Sequence, residues 1–201
     1  MAGRPREFDR DEALRKARDV FWSRGYEGTS MADLVAALGI ASARIYAAFG
    51  SKEELFRDAI ALYETHEGGF ADRAFAAEPT ARGAIERMLR DAVEIYTRRG
   101  QPQGCMVVSA ATNYSSANDA VGEWLAQHRR KRTASIIALL KQAVASGELS
   151  KATDPESLGD FFATFLHGLS VQARDGVSKK RLLAFIPLAI QALDLSSAGQ
   201  K

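Results

Sequence analysis

Apolar residues recur along this chain every three or four positions, the spacing of one face of an α-helix. Ala13, Leu14, Ala17, Val20 and Phe21 form the first such stripe. Asp9 precedes it, with Glu12 three residues on, which predicts a capped helix start. Gly25 predicts its end. Thr29 or Ser30 caps a second, short helix with Leu34, Val35 and Leu38 facing inward, and Gly39 stops it. Ser42 caps a third helix bearing Ile45, Tyr46 and Phe49, which ends at Gly50. Ser51, followed by Glu54, opens a fourth with Leu55, Ile60 and Leu62.

The character then changes. Residues 66–80 hold Gly68, Gly69 and Pro79 and read as a break. Helices are expected again at 81–99, 105–114 and 119–146. Asp154 caps a further helix to about residue 174, with Pro155 at its first position, and the last spans roughly 179–193. The first six residues and the tail SSAGQK read as disordered. No run alternates in strand fashion, and no Asn-Gly or Asp-Gly hairpin is flanked by β-branched residues. The expected class is all-α.

Residues 29–49 carry the most specific pattern. Three short helices, with a tight turn at Gly39 before the third, describe a three-helix helix-turn-helix head joined to a C-terminal helical bundle. Glycine permits the left-handed backbone of such a turn. Ile40 and Ile45 lock the two helices together, and Leu34 and Leu38 bury against the first. Ala41, Ser42, Ala43 and Arg44 are left outside. Small side chains let a helix sit deep in a major groove, and arginine contacts guanine through two hydrogen bonds.

The whole pattern resembles the tetracycline-repressor-type (TetR/AcrR) family. The matching residues are Phe21, Gly25, Tyr26, Thr29, Ser30, Leu34, Gly39, Ile40, Ile45, Tyr46, Phe49, Lys52, Leu55 and Phe56. The motif covers about the first 60 residues, and beyond them the resemblance is architectural. It implies that Thr29 or Ser30, Tyr46 and Lys52 contact phosphates and that Ser42, Ala43 and Arg44 face base edges. It also implies a homodimer built through the last two helices, a small-molecule effector and double-stranded operator DNA as partner. Val35 and Leu38 stand where the family often has Ala. Ala48 stands where His or Tyr is frequent, which removes one phosphate contact. The expected division is a DNA-binding domain at 1–52 and an effector-binding and dimerisation domain at 53–201.

Composition narrows this picture. The chain has 201 residues, 46% apolar and 26% charged, with a net charge of +2. A sizeable core is therefore available. Residues 1–60 hold ten Lys or Arg and ten Asp or Glu, so non-specific DNA affinity is expected to be modest. The N-terminus lacks the apolar region of a signal peptide, and no stretch is long enough to cross a bilayer. A cytoplasmic protein with no membrane partner is expected. The basic run at 128–132, HRRKR, reads as a solvated helix face rather than a second nucleic-acid patch.

The chemistry-bearing residues point away from catalysis. Paired carboxylates, a Ser-His-Asp set, a phosphate loop and a metal cluster are all missing from the sequence pattern, so neither enzyme activity, cofactor nor metal is expected. The single cysteine, Cys105, excludes an internal disulfide. Its place at a helix start would favour a thiolate, but Met106, Val107 and Val108 after it suggest an inert, buried thiol. A cavity between the C-terminal helices would draw on Met88, Tyr96, Met106, Asn113, Trp124, Phe162, Phe165 and His167. The reading is a ligand-responsive DNA-binding regulator, most simply a repressor. The rival is an all-α small-molecule-binding protein or enzyme that does not bind DNA.

Overall fold

The structure, a computed structural model, describes residues 9–110 and 118–197. Among the described residues it is entirely helical: α1 (Arg10–Arg24), α2 (Met31–Leu38), α3 (Ser42–Phe49), α4 (Lys52–Thr65), α5 (Phe70–Ala77), α6 (Ala81–Tyr96), α7 (Met106–Ser109), α8 (Asp119–Ser146), α9 (Pro155–Arg174) and α10 (Lys179–Ser197). Several helix starts follow from local chemistry. The Asp9 carboxylate accepts the Glu12 amide at 2.9 Å. Ser51 Oγ accepts the Glu54 amide at 3.0 Å. The Asp154 carboxylate accepts the amides of Glu156 and Ser157. Each bond satisfies an amide that has no partner within its own helix.

The N-terminal helices fold around an aromatic cluster. Phe21 of α1 meets Phe56 of α4 edge-on at 5.1 Å, and Tyr26 lies 5.1 Å from the same Phe56 ring. Leu34, Leu38, Ile45 and Phe49 are buried from α2 and α3. The chain turns at Gly39, whose φ of 70° lies in the left-handed region, and α2 and α3 meet at 93°. That angle is the helix-turn-helix geometry.

The core does not stop at the head. Phe21, Trp22, Phe56, Tyr63, Met88, Leu125, Phe162 and Ile186 belong to one continuous apolar cluster. The expected division between residues 52 and 53 falls in the first turn of α4, a helix that packs on both sides of it: Phe56 meets Phe21 and Tyr26 of the head and Trp124 of α8, and Tyr63 meets Trp22 of α1. Farther on, α8 and α9 approach closely at Gly159, where a Cβ would stand 2.4 Å from Ile137 Cγ1.

Three expectations change. Residues 66–80 are not a loop throughout, because they contain α5. Gly68, Gly69 and Pro79 flank that helix rather than interrupt it, and Phe70, Ala71 and Ala74 give it a buried stripe. Ser42 is not the cap of α3. Ala41 holds the cap position without a side-chain bond, and Ser42 is the first helical residue. Finally, α6 ends at Tyr96 rather than 99, while α10 continues to Ser197.

Candidate nucleic-acid interface and cavity

The outward face of α3 is set by its two anchors. Ile45 and Phe49, four residues apart, are buried, which turns Ser42, Ala43, Arg44 and Tyr46 to the surface. Tyr46 is 47% exposed, unusual for so large an apolar ring. Arg10, which the sequence did not single out, fixes the far end of the helix. Its Nε donates to the Ala48 carbonyl at 3.3 Å, its guanidinium lies 4.6 Å from the Phe49 ring centre, and it pairs with Asp58 of α4 at 2.8 Å. A lone arginine in the first turn of a helix gives no sequence signal for this, because its partners lie 38 to 48 residues away.

The flanking residues divide. Ser30 is exposed and caps α2 in a reciprocal box with Asp33, accepting its amide at 3.1 Å and returning its own at 2.9 Å. Hydrogen bonds from the hydroxyl and backbone of Ser30, together with Arg24, hold the Asp33 carboxyl down at about 2. Thr29 is fully buried, and its hydroxyl donates to the Gly25 carbonyl at 2.7 Å. It therefore presents no side chain to a phosphate. Its bond fixes the turn between α1 and α2. Lys52 lies at the start of α4 with its ammonium 4.3 Å from the Tyr26 ring centre. Partial burial pushes its pKa down, against the attraction of Glu27 and Asp33.

A second feature lies behind the head. A cavity of about 390 Å³ is bounded by residues of α4 to α9, a size typical of small-molecule sites. Its apolar wall includes Phe70, Val107 and Leu166, and its charged wall includes Glu64, Asp72, His128, Arg129 and Arg132. His128 bonds Glu64 at 2.7 Å, and Arg132 pairs with Asp72 at 2.9 Å. The basic run at 128–132 is thus a solvated face only in part, at the exposed Arg130 and Lys131. His128, Arg129 and Arg132 are half-buried, and two of them strap α8 to α4 and α5. The i, i+4 spacing of His128 and Arg132 puts these two on one side of the helix, a signal the sequence did carry.

Of the eight cavity residues expected, Tyr96 and His167 line it. Met88, Met106 and Phe162 are fully buried core, since their positions face the helix packing rather than the opening. Trp124 packs against Phe56, His128 and the Arg57 guanidinium between α4 and α8. Phe165 stacks on the exposed Phe161 at 6.3 Å and is not part of the cavity lining. Asn113 lies outside the described residues. The sequence missed Tyr63, which is fully buried and lines the cavity. Burial pushes the hydroxyls of Tyr63 and Tyr96 well above the ordinary tyrosine value, with Cys105 contributing to both. Burial and the nearby Arg129 charge push His167 down. Cys105 itself is buried at the cavity edge, and its amide donates to Ser170 Oγ at 2.8 Å.

Head and cavity are joined by specific bonds. Trp22 of α1 donates its indole N–H to the Gly104 carbonyl at 3.0 Å and meets the Tyr63 ring edge-on at 4.8 Å. Arg174 of α9 donates to the carbonyls of Trp22 and Ser23. Arg18 of α1 pairs with Glu67 at 3.1 Å, each side chain only 10% exposed. Among the described residues, no group of three or more His, Cys, Asp or Glu is placed to hold a metal ion. No single described helix is long and apolar enough to cross a membrane.

Comparison with known proteins agrees with this arrangement. Residues 13–59 match the model of bacterial regulatory proteins of the tetR family, and residues 81–180 match the tetracyclin repressor-like C-terminal domain. The chain is similar to the HTH-type transcriptional repressor ComR of Escherichia coli (strain K12), 32% identical over 182 residues, 90% of this chain and 87% of the relative. The HTH-type transcriptional repressor BdcR of the same strain is 29% identical over 195 residues, covering 96% of this chain and 93% of that one. Among solved structures, a cysteine mutant of the TetR family transcriptional regulator CifR, complexed with 26-bp double-strand operator DNA, superimposes with a TM-score of 0.90. It is 43% identical and covers 95% of this chain and 100% of its own. The chain belongs to the tetR family of bacterial regulatory proteins and is a DNA-binding transcriptional regulator.

Proposed function

We propose that the chain is a homodimeric cytoplasmic repressor, without catalytic activity, that a small molecule releases from operator DNA. The observation that carries this reading is the face of α3. Its buried anchors Ile45 and Phe49 present Ser42, Ala43 and Arg44 together at the N-terminal end of one helix. In the major groove, Arg44 would read a guanine while Tyr46 and Lys52 hold phosphates. Ser30 rather than Thr29 would stand at the phosphates beside α2. Two relatives that are transcriptional repressors, and one regulator solved with operator DNA, support the same reading.

Dimerisation is assigned to α9 and α10. On α9, Phe161 and Val171 are 41% and 46% exposed, and on α10 Leu188 is 64% exposed. Two copies of these stripes would form a four-helix bundle and set two α3 helices about 34–36 Å apart on successive major grooves. A ligand in the cavity would act on this spacing through Tyr63, Trp22 and Gly104, with a coupling of about 1–3 kcal/mol. The division of labour then falls within α4, with residues 1–52 reading DNA and 53–201 binding the effector and the second copy.

Gel retardation with DNA from upstream of the chain's own coding region tests the reading. The wild type is expected to retard it. Arg44→Ala should lose about 10- to 100-fold in affinity and relax specificity at one base position. Lys52→Ala should weaken binding to all sequences and reduce the salt slope by about one. A folded wild-type dimer that fails to retard this DNA at low salt would overturn the reading.

A further inference from the structure

The Tyr63 hydroxyl in the cavity lining is a polar group whose hydrogen bonding the protein leaves incomplete. It is fully buried and makes no hydrogen bond of ordinary length and angle; the Cys105 thiol and the Met106 backbone are near enough to bond it only weakly. A buried donor without a good acceptor is costly, and a ligand that supplies the acceptor recovers that cost on binding. We propose that the cavity admits a compact, uncharged, mainly apolar molecule and holds it by one oxygen acceptor on the Tyr63 hydroxyl. This rests on the effector role assigned to the cavity above.

Three features fix the ligand class. Phe70, Val107 and Leu166 offer an apolar wall, which rewards an apolar body. The hydroxyls of Tyr63 and Tyr96 are held protonated by burial, so they are donors and not anions. Within the charged wall Glu64 bonds His128 and Asp72 pairs with Arg132, and the groups that act on the Tyr63 hydroxyl, Cys105, Tyr96 and the Met106 backbone, include no cation. A carboxylate carried to Tyr63 would lose its hydration and find a neutral donor there, not an opposite charge. A ketone-like oxygen avoids that penalty. The position also explains why occupancy is felt by the head, because the ring that carries this hydroxyl lies against Trp22 of α1.

Three molecules of nearly equal shape separate the alternatives: acetophenone, α-methylstyrene, in which a methylene replaces the carbonyl oxygen, and benzoate. Each is titrated into the full chain by calorimetry at neutral pH, without DNA. The wild type is expected to bind acetophenone roughly fivefold more tightly than α-methylstyrene, and more tightly than benzoate. Tyr63→Phe keeps the ring and should erase the preference for acetophenone over the alkene. The proposal is overturned if the wild type binds the two neutral molecules equally, or if the preference survives in Tyr63→Phe. It is also overturned if benzoate binds best and ignores that substitution, since the cationic wall would then select the ligand. If the variant does not fold, equal binding of the two neutral molecules by the wild type still overturns the proposal. Operator retardation is measured separately. A ligand preference that stands while bound acetophenone leaves DNA binding unchanged would sink the effector role and not the chemistry of the cavity.

Discussion

The DNA-reading face and the cavity are built in opposite ways. The outward face of α3 comes from eight consecutive residues of one helix. The walls of the cavity come from six helices, and their residues span positions 61 to 167. The reading face is fixed by a local rule: burying Ile45 and Phe49 decides where Arg44 and Tyr46 point. The cavity is fixed by how distant helices meet, so a shift of one helix changes several walls together. Robust recognition therefore sits on the local element, and sensitivity to a ligand sits on the distributed one. The two meet where Trp22 touches both Tyr63 and Gly104.

This contrast can be broken experimentally at several strengths. The largest effect is expected from Leu188→Asp on α10, which leaves the reading face untouched. Each copy loses about 1.5–3 kcal/mol of apolar burial, so the dimer loses about twice that. Sedimentation should show monomers, and operator affinity should collapse while the circular dichroism of the folded chain persists. A dimer that survives this substitution would remove α10 from the interface. Next in size is Glu67→Ala. It removes one of the two carboxylates on the nearly buried Arg18, which keeps Asp19 at 2.8 Å, and should cost about 1.5–3 kcal/mol, read as a fall in the midpoint of urea unfolding.

Trp22→Phe probes the junction itself. It deletes the indole N–H that satisfies the Gly104 carbonyl and should cost about 1–3 kcal/mol in stability. The informative measurement is the shift in operator affinity caused by a cavity ligand. That shift should shrink even though ligand and DNA each still bind, and an unchanged shift would place the coupling elsewhere.

The smallest effect concerns pH. Burial and Arg129 lower the pKa of His167 from its ordinary 6.5, so the unfolded chain takes up a proton more readily than the folded one. Stability is thus greatest above about pH 6.5 and is lost as the pH falls below it toward the folded-state value. His167→Gln should flatten this part of the melting-temperature profile, and an equally steep profile in the variant would assign the loss to other groups.

Most of the head was legible in the sequence, and much less of the cavity. Capping residues announce themselves within three positions, as Asp9 with Glu12 and Ser51 with Glu54 do. Gly39 marks its turn because the backbone there needs the left-handed region. Thr29 was less legible. A threonine beside a helix start reads equally well as a cap or a phosphate ligand, and only the packing of the turn buries it. Helix α5 was hidden because Gly68, Gly69 and Pro79 dominate the composition around it. In the cavity, Met88, Met106 and Phe162 looked like wall residues by type. An apolar side chain facing a cavity and one facing a neighbouring helix obey the same periodicity.

The sequence by itself determined the helices, their caps, the helix-turn-helix and which side of α3 faces outward. Those features depend on hydrogen bonds and side-chain spacing within a few residues. Tertiary structure alone decided that Thr29 is buried, that the basic run of α8 braces a cavity, and that Tyr63 brings an incompletely bonded hydroxyl there beside Trp22. Each of these depends on residues far apart in the chain, and a pattern with a period of three to four residues cannot encode which distant face will meet it.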